Sequence, residues 1–75
     1  MASLSPTNRM LQWFTFAHLP EDLQSISQDC AILANEMAQS LPESAELTTG
    51  LRKLLEAKDC FVRAALEKRK TEESA

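Results

Sequence analysis

The sequence predicts an all-α protein, and three observations lead to this fold class. The chain of 75 residues contains only three Pro and one Gly. No segment alternates apolar and polar residues as a half-buried strand would. Two long segments instead repeat apolar residues at three- and four-residue steps, the period of an amphipathic helix. We therefore predict one small helical domain over residues 1–75, a two-helix antiparallel hairpin preceded by an aromatic-rich N-terminal segment.

Local signals set the boundaries of these elements. Pro20 suits the first turn of a helix, and Glu21 and Asp22 favour the positive end of its dipole. Pro42 ends that helix, and Ser44 is a candidate N-cap for the next one. In chain order we expect a flexible arm over residues 1–12, the aromatic segment over 13–19, a first helix over 20–41, a turn over 42–44, a second helix over 45–70 and a charged tail over 71–75.

Both predicted helices carry an apolar stripe. Within one hairpin, each helix covers only one side of the other's stripe, and the other side remains exposed. The first stripe consists of Leu23, Ile26, Cys30, Leu33, Met37 and Leu41. The second consists of Leu47, Leu51, Leu54, Leu55, Phe61, Val62, Ala65 and Leu66. A chain this short buries only about 60% of its unfolded surface, so a lone monomer is expected to be marginal.

Small proteins are usually reinforced by disulfides, a metal or further subunits. Cys30 and Cys60 lie inside helical patterns, and His18 is the only histidine, so the usual zinc spacings are absent. We therefore expect reduced thiols, no metal, no cofactor and a homo-oligomer. Gly50 lies inside the second helix at a cost of about 1 kcal/mol relative to Ala, which predicts close packing against a neighbour there.

Composition also excludes several functions. No apolar run approaches the roughly 18 residues that cross a bilayer, so no membrane is expected as a partner. The formal net charge of −3 argues against a nucleic-acid polymer. A small phosphorylated ligand needs only a few well-placed cations. His18 lies beside Pro20 and not beside a Ser or Cys nucleophile, and no glycine-rich loop is present, so we expect no catalytic residues and no enzyme.

The second helix contains a polar ridge with two interpretations. Thr48, Arg52 and Arg63 lie on one side of the apolar stripe, together with Asp59. Arg52 with Glu56, and Asp59 with Arg63, are either weak surface ion pairs or part of a phosphate contact.

Two further features are equally open. Lys58 falls within the apolar arc and must reach solvent, pair with an acid or face a bound anion. Trp13, Phe14 and Phe16 either close the open end of the hairpin or leave one ring free to stack on a nucleobase.

Three consecutive parts of the chain together resemble a known protein family. They are the run FTFAHLP (Phe14 to Pro20), the helix after it and the run LPESAELTTGLRKLLEAKDCFVRAAL (Leu41 to Leu66). The family that they resemble is that of the phage anti-CBASS cyclic-oligonucleotide sponges. The resemblance implies a helical homohexamer with pockets between protomers for cyclic dinucleotides, and in some members separate sites for cyclic trinucleotides. It implies that the signal is held in the host bacterial cytoplasm without being cleaved, so that the immune effector stays inactive.

The resemblance also assigns residues. The family's stacking aromatic corresponds to Phe16, where many relatives have Tyr. The first helix, residues 20–41, contains no lysine to match the one that the family has there. The family's cationic and hydroxyl positions on the second helix correspond best to Thr48, Thr49, Arg52 and Lys53. Together with the patterns above, the candidate ligand-binding residues are Phe16, His18, Thr48, Thr49, Arg52, Lys53, Lys58 and Arg63. The alternative is a ligand-free helical interaction or structural protein, also oligomeric, of phage or bacterial origin.

Overall fold

The computed structural model describes residues 5–74, and this part of the chain is all-helical, as the sequence predicts. Its elements are α1 (Pro6–Leu11), a 3₁₀ turn (Gln12–Phe14), α2 (Glu21–Ser40) and α3 (Ala45–Ser74). Three α-helices are therefore present within the described residues, where the sequence predicted two.

Helix α1 corrects the expectation of a flexible arm. The Ser5 side chain accepts a hydrogen bond from the backbone N–H of Asn8, and Pro6 begins the helix. Both are common N-terminal signals, but a helix this short has no readable apolar period. Thr7 is buried, and α1 packs against both α2 and α3. Residues 1–4 of the predicted arm lie outside the described residues.

Helices α2 and α3 form the hairpin that the sequence predicts. Asp22, in the first turn of α2, pairs with Arg69 near the end of α3, so the two helices run antiparallel. The Ser44 side chain accepts a hydrogen bond from the N–H of Leu47 at 3.1 Å, which confirms Ser44 as the N-cap. Helix α3 continues through residues 71–74, so this part of the predicted tail is helical.

The hydrophobic core lies where α1 and the 3₁₀ turn cover the hairpin. Phe14 is its one large aromatic residue and is 2% exposed. Helix α2 offers only small side chains at this point, which leave room for the ring. Leu47 and Leu51 complete the core from α3. The buried cluster consists of Phe14, Cys30, Ala31, Ala34, Leu47 and Leu51.

The buried face of α2 agrees with the predicted apolar stripe at Leu23 and Cys30 and differs from it over the second half of the helix. Leu23, Ser27 and Cys30 turn inward, together with Ala31 and Ala34. The predicted stripe residues Leu33, Met37 and Leu41 are instead exposed by more than a third of their surface, and so are Phe61 and Leu66 on α3. The core selects small residues because α2 packs closely there, and the larger side chains remain as an apolar surface that the hairpin does not cover.

Candidate functional site

A groove between the start of α1 and the first turns of α3 collects several of the candidate residues. We call it the polar groove. Its volume is about 470 Å³, within the range of about 300–1,000 Å³ that small-molecule sites occupy. Of the predicted ligand-binding residues, it brings together Thr48, Thr49 and Arg52. The full lining is Pro6, Glu43, Ser44, Ala45, Thr48, Thr49 and Arg52.

The hydrogen bonds of α3 decide which of these groups can donate to a ligand. The Thr48 hydroxyl donates to the Ser44 carbonyl at 3.1 Å, so it offers a ligand only its acceptor lone pairs. Thr49 is half-buried, and among the described residues its hydroxyl makes no hydrogen bond. Arg52 is exposed, and within residues 5–74 it forms no ion pair, including the pair with Glu56 considered from the sequence. Thr49 and Arg52 are therefore available donors of the groove, together with the hydroxyl of Ser44, which accepts the Leu47 N–H and still has its own O–H to donate.

Glu43 also lines the polar groove, although sequence reasoning did not select it. The backbone N–H of Thr7 donates to Glu43 Oε1 at 3.1 Å, across a separation of 36 positions in the chain. This bond holds the carboxylate against α1. Because α1 itself was not predicted, no signal in the sequence pointed to this contact.

Lys58 and Arg63 lie outside the polar groove and interact with groups of the protein. The Lys58 side chain is only 12% exposed, and its Nζ lies 3.5 Å from Asp59 Oδ1. Nζ also donates to the Trp13 carbonyl at 3.2 Å, which ties the 3₁₀ turn to α3. Arg63 Nη2 donates to Cys60 Sγ at 3.2 Å, and not to Asp59. For Lys58, the structure therefore favours pairing within the chain over a bound anion.

The aromatic residues divide between the two interpretations given above. Phe14 fills the core, and Phe16 is partly buried against it. Trp13 is 59% exposed, so it is the most accessible ring for stacking. His18 and Lys53 are exposed and do not line the groove. A site that combined Phe16 or His18 with Arg52 is therefore not formed by the polar groove of one chain.

A second cavity, the apolar groove, lies between the end of α2 and the start of α3. Its volume is about 480 Å³, and its lining is Leu33, Met37, Leu41, Pro42, Ser44, Glu46, Leu47, Gly50, Leu51 and Leu54. A Cβ atom added to Gly50 would meet nothing within 4 Å. The close neighbour expected at Gly50 is therefore not supplied by the described part of this chain.

Both cysteines are free thiols in the structure. Cys30 is buried in the core, and desolvation raises its pKa, with the nearby Asp29 carboxylate adding to the effect. A raised pKa keeps the thiol protonated and unreactive, in keeping with a packing role. Cys60 is exposed on α3. No group of three or more His, Cys, Asp or Glu side chains suited to a metal occurs among the described residues.

Comparison with known proteins found no relative of this chain. No family model matches the sequence, and no curated protein or solved structure matches it significantly. Within residues 5–74, no helix combines the length and the apolar character that crossing a bilayer requires.

Proposed function

We propose that this protein is a phage anti-CBASS sponge that binds cyclic oligonucleotide second messengers of the host and sequesters them without cleaving them. The observation that carries the proposal is the polar groove. Thr48, Thr49 and Arg52, which the sequence resemblance assigns to the ligand, line one cavity of suitable size. The protein acts, under this proposal, in the host bacterial cytoplasm.

The chemistry of the groove suits a phosphodiester. The guanidinium of Arg52 can donate two parallel hydrogen bonds to two phosphate oxygens. The Thr49 hydroxyl adds a third donor one turn earlier on the same helix. The groove also reaches Ala45, the first residue of α3, and at this end of the helix the dipole favours an anion. A cyclic di- or trinucleotide carries such phosphodiesters in a rigid ring, so little conformational entropy is lost when it binds.

Self-association completes the proposed site. The apolar groove leaves Leu33, Met37 and Leu41 partly uncovered, and burying such surface stabilises an assembly by about 25 cal/mol per Å². A homohexamer is the assembly that the resemblance favours. In it, Phe16 and His18 of one protomer complement the polar groove of a neighbour, and the exposed ring of Trp13 is a further stacking surface.

Sequestration acts by mass action. The sponge must bind the signal more tightly than the effector does, and each 1.4 kcal/mol or so of additional binding free energy gives a tenfold advantage. No chemical change in the ligand is needed, because a bound messenger cannot reach the effector.

The decisive test is titration calorimetry of the purified protein with a panel of cyclic di- and trinucleotides. We expect saturable binding of at least one member. Chromatography of the ligand released by heat should show it intact, and light scattering should give the mass of a hexamer. A cleaved ligand would exclude a sponge, and a stable monomer would exclude the shared site.

The alternative is a ligand-free helical interaction or structural protein that also forms oligomers. The observation that favours it is that Lys58 and Arg63 bond to groups of the protein itself. Assembly without binding to any member of the panel would support this alternative over the sponge.

A further inference from the structure

We infer that Glu43 reads the base of the bound cyclic nucleotide and makes the polar groove prefer guanine to adenine. This inference rests on the proposed function, because it assigns a base preference to the same groove. It concerns a residue that neither the sequence pattern nor the resemblance selects.

The carboxylate of Glu43 is held in place and keeps most of its acceptor capacity. Its Oε1 accepts the Thr7 N–H at 3.1 Å in a partly buried contact. An ionised carboxylate has about four acceptor sites, and this bond uses one of them. Among the described residues, no Lys or Arg forms an ion pair with Glu43. The remaining lone pairs are therefore available in a cavity that Glu43 lines.

A carboxylate on the wall of a phosphate-binding groove needs a separate partner within the ligand. It repels phosphate oxygens, so it must face a part of the ligand that carries N–H or O–H donors. Arg52 and Thr49 hold the phosphodiester from α3, whereas Glu43 approaches from the turn that precedes α3. A nucleotide carries such donors on its free ribose hydroxyl and on its base, and the base alone differs from one nucleotide to another.

The Watson–Crick edges of the two purines differ in what they offer to a carboxylate. Guanine presents the N1–H and the 2-amino group side by side, and both can donate to the two carboxylate oxygens of Glu43. Adenine presents its 6-amino group beside N1, and the lone pair of N1 faces the carboxylate and repels it. Hydrogen bonds to an ionised acceptor are roughly twice as strong as neutral ones. The geometry of the acceptors therefore favours guanine.

Because Glu43 also ties α1 to the hairpin, its structural role and its role in base reading must be separated. Glu43→Gln does so. The amide carbonyl oxygen still accepts the Thr7 N–H, while the other oxygen is replaced by an NH₂ group. The variant should therefore keep α1 in place and present a donor to the groove where the wild type presents an acceptor.

The experiment is titration calorimetry with cyclic di-GMP and cyclic di-AMP. We expect the wild type to bind the guanine ligand about tenfold more tightly, the discrimination typical of a bidentate base contact. Glu43→Gln should lower the ratio of the two affinities by about tenfold, while the protein stays folded and its unfolding temperature falls only slightly because the bond to Thr7 is now neutral. Glu67→Gln is the matched control: Glu67 is an exposed carboxylate on α3 that lines neither groove, so its ratio should equal that of the wild type.

Two failures can be told apart. If the wild type binds both ligands equally, or if Glu43→Gln retains the wild-type ratio, the base-reading role is wrong while the sponge function stands. If the wild type binds neither these ligands nor any cyclic trinucleotide, the proposed function fails and the base preference fails with it.

Discussion

The two grooves flank the same turns of α3 and are almost equal in volume, yet their chemistry differs completely. Ser44 lines both of them. On one side lie Thr49 and Arg52, which can donate hydrogen bonds to an anion, and on the other lie Met37 and Gly50, which suit an apolar surface. One short segment of helix therefore has two faces of different chemistry, and the proposed sponge uses both: one to assemble, the other to hold the ligand.

Under the proposed function, this difference predicts a partial separation: changes to the polar groove lower ligand affinity without dissociating the particle, whereas loss of assembly also removes the neighbour's part of the site. Water solvates the polar groove well until a ligand arrives, whereas the apolar groove exposes surface that water disfavours. Changes to the apolar groove should first affect the mass of the particle. Changes to the polar groove should first affect affinity. The four predictions that follow test this separation.

The largest effect is expected from Met37→Glu. A carboxylate at this position is buried without a partner when another copy covers the apolar groove, at a cost of about 3–5 kcal/mol. We expect light scattering to show dissociation, while circular dichroism stays helical because Met37 is already 37% exposed in the single chain. Gln39→Glu adds the same charge to an exposed position of α2 outside the groove and should leave the mass unchanged. An intact oligomer of Met37→Glu would show that assembly uses another surface.

Arg52→Ala tests the polar groove and should reduce affinity for a cyclic nucleotide by about 1.5–3 kcal/mol, as expected for a hydrogen bond to a charged group. Arg52→Lys should recover only part of this loss, because lysine retains the charge without the planar fork. The particle mass should stay constant in both variants.

The neighbouring cation is the control for this experiment. Lys53 is exposed and does not line the groove, so Lys53→Ala should bind nearly as well as the wild type. Equal losses for Lys53→Ala and Arg52→Ala would indicate a diffuse electrostatic effect and not a contact in the groove.

Much of the fold could be predicted from the sequence because strong local signals define it. Pro20, Pro42 and the Ser44 cap delimit two long amphipathic segments, and α2 and α3 lie there. Helix α1 could not be predicted with the same rules, since six residues carry no period, and its place depends on tertiary contacts such as the bond from Thr7 to Glu43.

The buried face of α2 and the residues of the candidate site were harder to predict from the sequence. The apolar pattern of α2 pointed to Leu33 and Met37, but the core takes Ser27 and Ala34, whose small size lets the helices pack closely. Spacing along α3 placed Thr48 and Arg52 together correctly. The role of Glu43 could not be predicted from the sequence, because its partner Thr7 is distant in the chain and lies on a helix that was not predicted.

Gly50→Ala should act on folding and assembly in opposite directions. The added methyl group meets nothing within 4 Å in the single chain, so helix propensity should stabilise the protomer by about 1 kcal/mol. If another copy approaches the helix closely at Gly50, the same methyl group weakens assembly. Denaturation and light scattering on the same samples measure the two effects. Stronger folding with unchanged assembly would show that no copy packs closely at this position.

The smallest effect is expected from Asp22→Asn, which removes a contact distant from both grooves. The hydrogen bond from Arg69 holds the pKa of Asp22 below its ordinary value of 3.8. A carboxylate whose pKa is lowered by folding stabilises the native state at every pH above its unfolded pKa. That contribution is lost as the pH falls through the lower, folded pKa. Asp22 is exposed, so solvent screening keeps the contribution small.

Thermal unfolding of the wild type and the variant, at one protein concentration, measures this difference. Asp22→Asn should unfold at a slightly lower temperature at neutral pH, and the gap should close as the pH falls through the lowered pKa of Asp22, because Asp22 then becomes protonated in the wild type too. Glu36→Gln, an exposed carboxylate elsewhere on α2, controls for the change in net charge. Ligand affinity and particle mass should not change in either variant, because the contact with Arg69 lies at the end of the hairpin away from the turn that both grooves share. A change in either property would mean that this end of the hairpin belongs to the assembly.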